Sequence, residues 1–301
     1  VKPIHTSLGK LELASPVAVA SGTFGKEYFC LWDQEVLGAY VTKTITPLPK
    51  QGNPPPRLYE TEAGMLNSIG LENPGLDQFI SRDLPELRGL LRVPLIVSFS
   101  GSSINEFCAI LEALEKEDGI AGYEVNVSCP NVENEGMAFG QDADVVYKLT
   151  KALAQLTDRE LMVKLSPNVT DITAIAKAAE QGGATSIALI NTLLGMAIDW
   201  RNGTSRIKRG VAGYSGTAIK PVALAMTYRV AQCVKLPLLA MGGINTWQDA
   251  MEFFFAGASA VAVGTGSFYD PMCIPNLVSG IQKHLTDSDI ALSDIIGKVK
   301  L

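Results

Sequence analysis

The sequence predicts an α/β fold, a single (β/α)8 TIM-type barrel, and three observations carry that expectation. Short β-rich apolar runs recur eight times along the 301 residues. Helix-like stretches with caps and glycine stops lie between them. Two connections, at about 45–93 and 192–235, are much longer than the rest. Long insertions of that kind belong to the loops that rise from the C-terminal face of such a barrel. An open doubly wound sheet is the rival arrangement.

In chain order the runs are "VAVA" 17–20, "AYVTKT" 39–44, "PLIVSF" 94–99, "YEVNVS" 123–128, "LMVKLS" 161–166, "SIALIN" 186–191, "LPLLAMGG" 236–243 and "SAVAVGT" 259–265. Most are continuously apolar, as parallel strands covered on both faces must be. Among the helical stretches, 105–119 repeats apolar residues at helical spacing and stops at Gly119. The stretch 166–183 offers a Thr170 cap, Asp171 in the first turn and a Gly182-Gly183 stop. The stretch 245–259 starts on an Asn or Thr cap and ends at Gly257. The loop at 45–75, with "TPLPKQGNPPPR" and "NSIGLENPG", is too long for a bare connector and is expected to cover a pocket. No repeat or linker composition divides the chain, so one domain over 1–301 is expected.

Composition narrows the function. At 47% hydrophobic and 19% charged, the chain has material for a large core. A net charge of -6 argues against a general nucleic-acid binder, which needs a basic face. No apolar run is long enough to span a membrane, and the N-terminal residues lack the apolar core of a secretion signal. Five cysteines, at 30, 108, 129, 233 and 273, form no CxxC pair, which fits a reducing, cytoplasmic setting. His5 and His284 are the only histidines, and neither adjoins a strand end. A base for acid–base chemistry is therefore sought among Cys, Lys, Asp and Glu.

The strand ends collect the polar candidates. They are Ser21, Lys43 and Thr44, Ser98, Asn126, Lys164, Asn191 and Thr192, Gly242 and Gly243, then Gly264 and Thr265. Lysine inside an apolar strand is costly unless paired. Two such lysines at matching depth point to a buried anionic ligand, against the plainer reading of rim lysines that snorkel. Glycines after the last two strands sit where barrels of this kind bind phosphate, and Ser215-Gly216-Thr217 before a helix offers further amides. A phosphate-bearing cofactor across the barrel mouth follows, and an isoalloxazine over a lysine fits it. No GxGxxG joins a first strand to a first helix, as a bare nicotinamide cofactor would ask. Cys129, where "EVNVSCPNV" leaves its strand, is left by these residues as packing residue, disulfide half, metal ligand or reactive group, with the cysteine spacing arguing against disulfide and zinc.

The motifs together are more specific than any one of them. "ASGTFG" 20–25, "VTKTIT" 41–46, "GNPPPR" 52–57, "MLNSIGLENPG" 65–75, "NVSCPNV" 126–132, "VKLSPNV" 163–169, "INTLLG" 190–195, "YSGTAIKP" 214–221, "MGGI" 241–244 and "AVGT" 262–265 span almost the whole chain. In these the sequence resembles the class 1 dihydroorotate dehydrogenases, FMN enzymes of pyrimidine synthesis, and most of all the class 1B catalytic subunit. The resemblance implies one FMN per chain, a homodimer, and an electron-transfer partner carrying FAD and a 2Fe–2S cluster in a heterotetramer, with NAD as final acceptor.

It also implies roles. Cys129 is expected to be the base that takes the C5 proton of dihydroorotate while hydride leaves C6 for the flavin. Lys43 is expected to touch flavin and substrate, and Lys164 to meet the flavin N1 edge. Asn67, Ser68, Ile69, Gly70, Leu71, Asn126, Asn191 and Thr192 match substrate positions. Ser21, Lys43, Thr44, Ser98, Asn126, Lys164, Ile190, Gly216, Gly242, Gly243, Gly264 and Thr265 match FMN positions. A metal site is not expected. The loop after Cys129, with Gly136 and Gly140, is expected to act as a lid. Ser98 departs from the asparagine usual in class 1B and resembles the fumarate-using class 1A, so fumarate stays open as acceptor. A dihydropyrimidine dehydrogenase-type module and a non-catalytic phosphate-binding barrel are the other readings.

Overall fold

A computed structural model describes residues 4–128 and 139–300. All eight apolar runs are strands of one parallel sheet: β1 Val17–Val19, β2 Tyr40–Val41, β3 Leu95–Phe99, β4 Gly122–Asn126, β5 Glu160–Lys164, β6 Ser186–Leu189, β7 Leu238–Met241 and β8 Ala260–Val263. The strands follow one another around the sheet, β8 pairs with β1, and a parallel bridge from Ala18 to Ala39 brings β1 to β2. The sheet is thereby a closed barrel, and the open-sheet alternative falls.

Seven α-helices cover it among the described residues: α1 Leu84–Leu90, α2 Ile104–Leu114, α3 Ala143–Ala154, α4 Ile172–Gly182, α5 Lys220–Ala231, α6 Trp247–Ala256 and α7 Cys273–Asp287. The alternation is not eightfold, because β1 and β2 are joined by two 3₁₀ turns, Lys26–Tyr28 and Gln34–Val36. An aromatic cluster of Phe24, Phe29, Trp32 and Tyr40 fills the place of a helix there.

Local chemistry sets the helix ends. The α2 cap is Ser103, whose hydroxyl accepts from the Glu106 amide, and Phe107, Ile110, Leu111 and Leu114 form its buried stripe. In α4 the cap is Asp171, which accepts from the Thr173 amide. The expected Thr170 cap is thus one residue early; the Asp171 carboxylate takes the first free amide, that of Thr173, instead. Thr246 and Asp249 form a reciprocal capping box on α6, and left-handed glycines, Gly183 and Gly257, end α4 and α6.

Two apolar layers result. The outer one lies between strands and helices and holds the large aromatics, with Phe107 edge-on to Phe99 and Phe139 at ring distances of 5.8 and 5.2 Å. The inner one mixes alanines, including Ala18, Ala39, Ala188, Ala260 and Ala262, with Ile96, Met162, Leu239 and Met241. A hairpin, Thr6–Leu8 with Leu11–Leu13, plugs the N-terminal end with buried Leu8 and Leu13. Burial of each such leucine contributes about 1.5–3 kcal/mol.

The two long connections meet each other. Strands Leu193–Gly195, Ala212–Ser215, Gly64–Asn67 and Leu58–Thr61 form one antiparallel sheet in that order. Each connection then returns through a barrel-covering helix, α1 or α5. The Thr265 hydroxyl donates to Ser215 at 2.8 Å and ties the end of β8 to this cap sheet. No helix among the described residues is long and apolar enough to cross a membrane.

Candidate active site

A cavity of about 930 Å³ opens between the C-terminal ends of the barrel strands and the cap sheet. Its walls gather almost every residue singled out from the sequence. From the strand ends come Ser21, Lys43, Thr44, Asn126, Lys164, Ile190, Asn191 and Thr192. The cap side contributes Asn67, Ser68, Ile69, Gly70 and Leu71, and the rim Gly216, Gly242, Gly243, Gly264 and Thr265. Cys129 and the proposed lid residues through 138 lie outside the described residues. On either side of them, Ser128 lines the cavity and the Gly140 amide donates to the Val127 carbonyl at 2.8 Å.

The lysines sit where the strand pattern places them. Lys164 is the last residue of β5 and only 4% exposed. Its ammonium donates to the Ser21 hydroxyl at 2.9 Å. Lys43 stands just beyond β2. Burial, and then the nearby Lys164 charge, push its ammonium below the ordinary lysine range. Two cations facing one cavity favour an anionic occupant, which would relieve both effects.

The asparagines are held as rigid donors. Asn191 donates to the Ser128 hydroxyl at 2.8 Å and accepts from the Thr192 amide at 2.8 Å. Asn126 donates to the Thr44 hydroxyl at 3.2 Å and accepts from the Ser128 amide. Asn67, on the cap strand Gly64–Asn67, reaches the Gly213 carbonyl at 3.5 Å. Its loop is fixed from behind by Asn73, which bonds the Thr46 hydroxyl at 2.8 Å and the Leu71 carbonyl at 2.7 Å.

Ser98 lies one layer below the cavity wall, with none of its surface exposed. Its hydroxyl bonds Thr44 at 2.8 Å and donates to Glu124 at 2.8 Å. Glu124 was not among the sequence candidates. It is fully buried, and its Oε1 lies 3.6 Å from the Lys164 ammonium. The sequence did carry a signal: in "YEVNVS" Glu124 shares the parity of Asn126, so both face the barrel interior. Asn168 was also missed. It donates to the Thr192 carbonyl at 2.9 Å and accepts from the Leu194 amide at 3.1 Å, bracing the loop after β6.

The rim glycines have a conformational cause. Gly216, Gly242 and Gly243 have φ values of 105, 130 and 77°. A Cβ on Gly216 would stand 2.5 Å from the Gly64 Cα, and one on Gly243 2.8 Å from the Lys220 Cβ. Bare main chain therefore lines this side, as close approach of a phosphate requires. The donor set suits an anionic, phosphorylated ring system: two ammonium groups, hydroxyls from Ser21 and Thr265, and carboxamides. No group of three or more His, Cys, Asp or Glu side chains with metal-binding geometry occurs among the described residues.

Comparison with known proteins places this arrangement. The family model for dihydroorotate dehydrogenase matches residues 4–285. A curated protein of Thermoanaerobacter pseudethanolicus is 47% identical over 301 residues, covering 99% of each chain. One from Geobacillus kaustophilus is 46% identical over 298 residues, covering 98% of this chain and 95% of the relative. One from Alkaliphilus metalliredigens is 47% identical over 299 residues, covering 98% of each. All three carry the name dihydroorotate dehydrogenase B (NAD(+)), catalytic subunit. With a match over nearly its whole length, the chain belongs to the dihydroorotate dehydrogenase family.

Proposed function

We propose that this chain oxidises dihydroorotate to orotate on a bound FMN and passes the electrons to a partner subunit. The observation that carries the reading is the meeting of Lys43 and Lys164 in one cavity whose far rim is bare glycine backbone. That pairing suits a ligand with a phosphate at one end and an electron-accepting ring at the other. FMN would be held by Ser21, Thr44, Lys164, Ile190, Gly216, Gly242, Gly243, Gly264 and Thr265. When bound, FMN supplies a hydride acceptor.

The protein's own work is to place substrate and move one proton. Lys43, beside the cavity wall, balances the substrate carboxylate. Asn67, Asn126, Asn191 and Thr192 hold its ring and carboxylate through donors already fixed by neighbours, so little reorganisation accompanies reaction. Ser68 through Leu71 close one side of the pocket. Cys129 takes the proton from C5, which is acidified by the adjacent carbonyl. A thiol has an ordinary pKa of about 8.5, nearer working pH than a serine hydroxyl. Lys164 keeps a positive charge near the ring edge where electron density collects.

The relatives' names support NAD as the final acceptor, through a separate subunit that would carry FAD and a 2Fe–2S cluster. A homodimer at the centre of such a heterotetramer, a cytoplasmic setting and a single-domain organisation belong to the same proposal. Ser98, asparagine in most class 1B members, keeps fumarate as the second reading. Fumarate turnover by the isolated chain would favour that reading, and NAD reduction only with the partner would favour the first.

The test starts with the base. Cys129→Ser should slow flavin reduction by dihydroorotate about 10²-fold or more at neutral pH and move the rise in rate toward alkaline pH. An unchanged rate removes Cys129 from the mechanism. Dihydrouracil should not replace dihydroorotate, and equal turnover of the two would favour a dihydropyrimidine dehydrogenase-type module.

A further inference from the structure

Glu124 is a buried acid that the proposed reaction does not use. It lies on β4, faces the barrel interior and has no exposed surface. A directed set of donors ends on it. The Asn126 amide donates to Thr44, Thr44 lies 2.8 Å from Ser98, and Ser98 donates to Glu124 Oε1. Three donor groups in series need a terminal acceptor, and a carboxylate is the side chain that only accepts. Its second oxygen, Oε2, has no hydrogen-bonding partner among the described residues. An unpartnered buried oxygen of this kind is destabilising and calls for an explanation beyond packing.

The charge partner of the bonded oxygen, Oε1, lies across the strand pair. Register sets Asn126 of β4 opposite Lys164 of β5, so Glu124 stands one interior layer below that lysine. The 3.6 Å separation of Oε1 and the ammonium is a charge contact, longer than a good hydrogen bond. The ammonium's own 2.9 Å bond points away, to Ser21 on the cavity wall. Lys164 is thus held between a wall hydroxyl and a carboxylate behind it. Both charges are desolvated, so their mutual effect is strong and poorly screened by salt.

We propose that Glu124 is a positioning residue: its carboxylate is the fixed counter-charge of Lys164, and it limits how strongly the barrel mouth favours a reduced, negatively charged flavin. The proposal rests on the FMN reading above. Reduction adds two electrons and one proton to the ring, leaving one more negative charge near Lys164. An uncompensated ammonium would stabilise that charge and retain the electrons. With Glu124 behind it, the ammonium is still aimed at the mouth but offers a weaker field. Electrons then leave more readily for a second acceptor.

The experiment is a redox titration of the FMN-loaded chain. Glu124→Gln removes the charge at nearly constant shape and should favour the reduced flavin at least tenfold. That is a rise in midpoint potential of about 30 mV for a two-electron couple. Glu124→Asp keeps the charge and should stay near the wild-type potential. A potential unchanged or lowered in Glu124→Gln overturns the proposal, as does an equal rise in Glu124→Asp. Should Glu124→Gln lose its flavin, the pair Lys164→Met and Lys164→Met/Glu124→Gln asks instead whether Glu124 acts only through the lysine. Because the effect runs through the lysine, the double variant should stay near the Lys164→Met potential, and a tenfold shift toward the reduced form on adding Glu124→Gln there overturns the proposal. A wild-type chain that takes up no FMN fails the underlying reading instead, before any variant is compared.

Discussion

Among the described residues two glutamates, on adjacent barrel strands and toward opposite ends, are fully buried, and they are treated differently. Glu160 opens β5 at the closed end. Its Oε2 accepts from the Lys10 amide at 2.6 Å, its Oε1 accepts from the Ser186 hydroxyl, and the N-terminal hairpin covers it. Glu124 sits in β4 toward the open end, with one oxygen bonded, one unpartnered, and the Lys164 ammonium 3.6 Å away. The same side chain is structural where every atom is satisfied and electrostatic where one is not. At the closed end Leu8 and Leu13 fill the interior; at the mouth the equivalent space is an open cavity lined by polar groups. The difference teaches that this fold spends its packing at one end and leaves unbalanced charge at the other.

Substitutions can break or sharpen that contrast. The largest effect is expected at the mouth. Lys164→Met should slow flavin reduction by dihydroorotate about 10²–10³-fold in stopped-flow, the usual cost of one fixed donor at a developing charge, and should also lower thermal stability by leaving Glu124 buried without its counter-charge. At the closed end the order should reverse. Glu160→Ala leaves the Lys10 amide and Ser186 hydroxyl without acceptors and should cost about 2–4 kcal/mol in denaturant unfolding, with the substrate KM kept. If Glu160→Ala altered KM more than stability, the two ends would not be separable.

A smaller effect is expected at the rim. Gly243→Ala forces a side chain into a left-handed backbone position and should weaken FMN binding roughly tenfold, by about 1–2 kcal/mol of strain, measured by fluorescence quenching of FMN. The smallest should be seen in the FMN-free chain. Lys43 has its pKa lowered by burial and by Lys164, so its charge opposes folding at neutral pH. Between its folded and unfolded pKa values the unfolded state binds more protons, and stability rises with pH. Lys43→Met should therefore be more stable than wild type at neutral pH. That advantage should shrink as pH climbs through the lowered pKa and vanish above the ordinary lysine range.

The barrel itself was legible because most of the eight strands are continuous or nearly continuous apolar runs, and strands covered on both faces leave that mark. The missing first helix was less visible, since Phe24, Phe29, Trp32 and Tyr40 fill its place by contacts that have no period. The site was legible wherever a polar residue interrupts a strand end, as at Lys164 and Asn126. Glu124 escaped because a charged residue two places from Asn126 reads as an ordinary alternation until the interior layer is known. Asn73 and Asn168 escaped because each acts through a neighbouring loop, and no local pattern records which loop that is.

Anaerobic titration of the FMN-loaded chain with dihydroorotate, followed at the visible flavin band, tests the mouth most directly. The account predicts that the band bleaches with one orotate formed per flavin. It further predicts that Glu160→Ala bleaches like wild type while Lys164→Met does so far more slowly. A flavin that stays yellow in excess dihydroorotate, or equal bleaching rates in wild type and Lys164→Met, would contradict it.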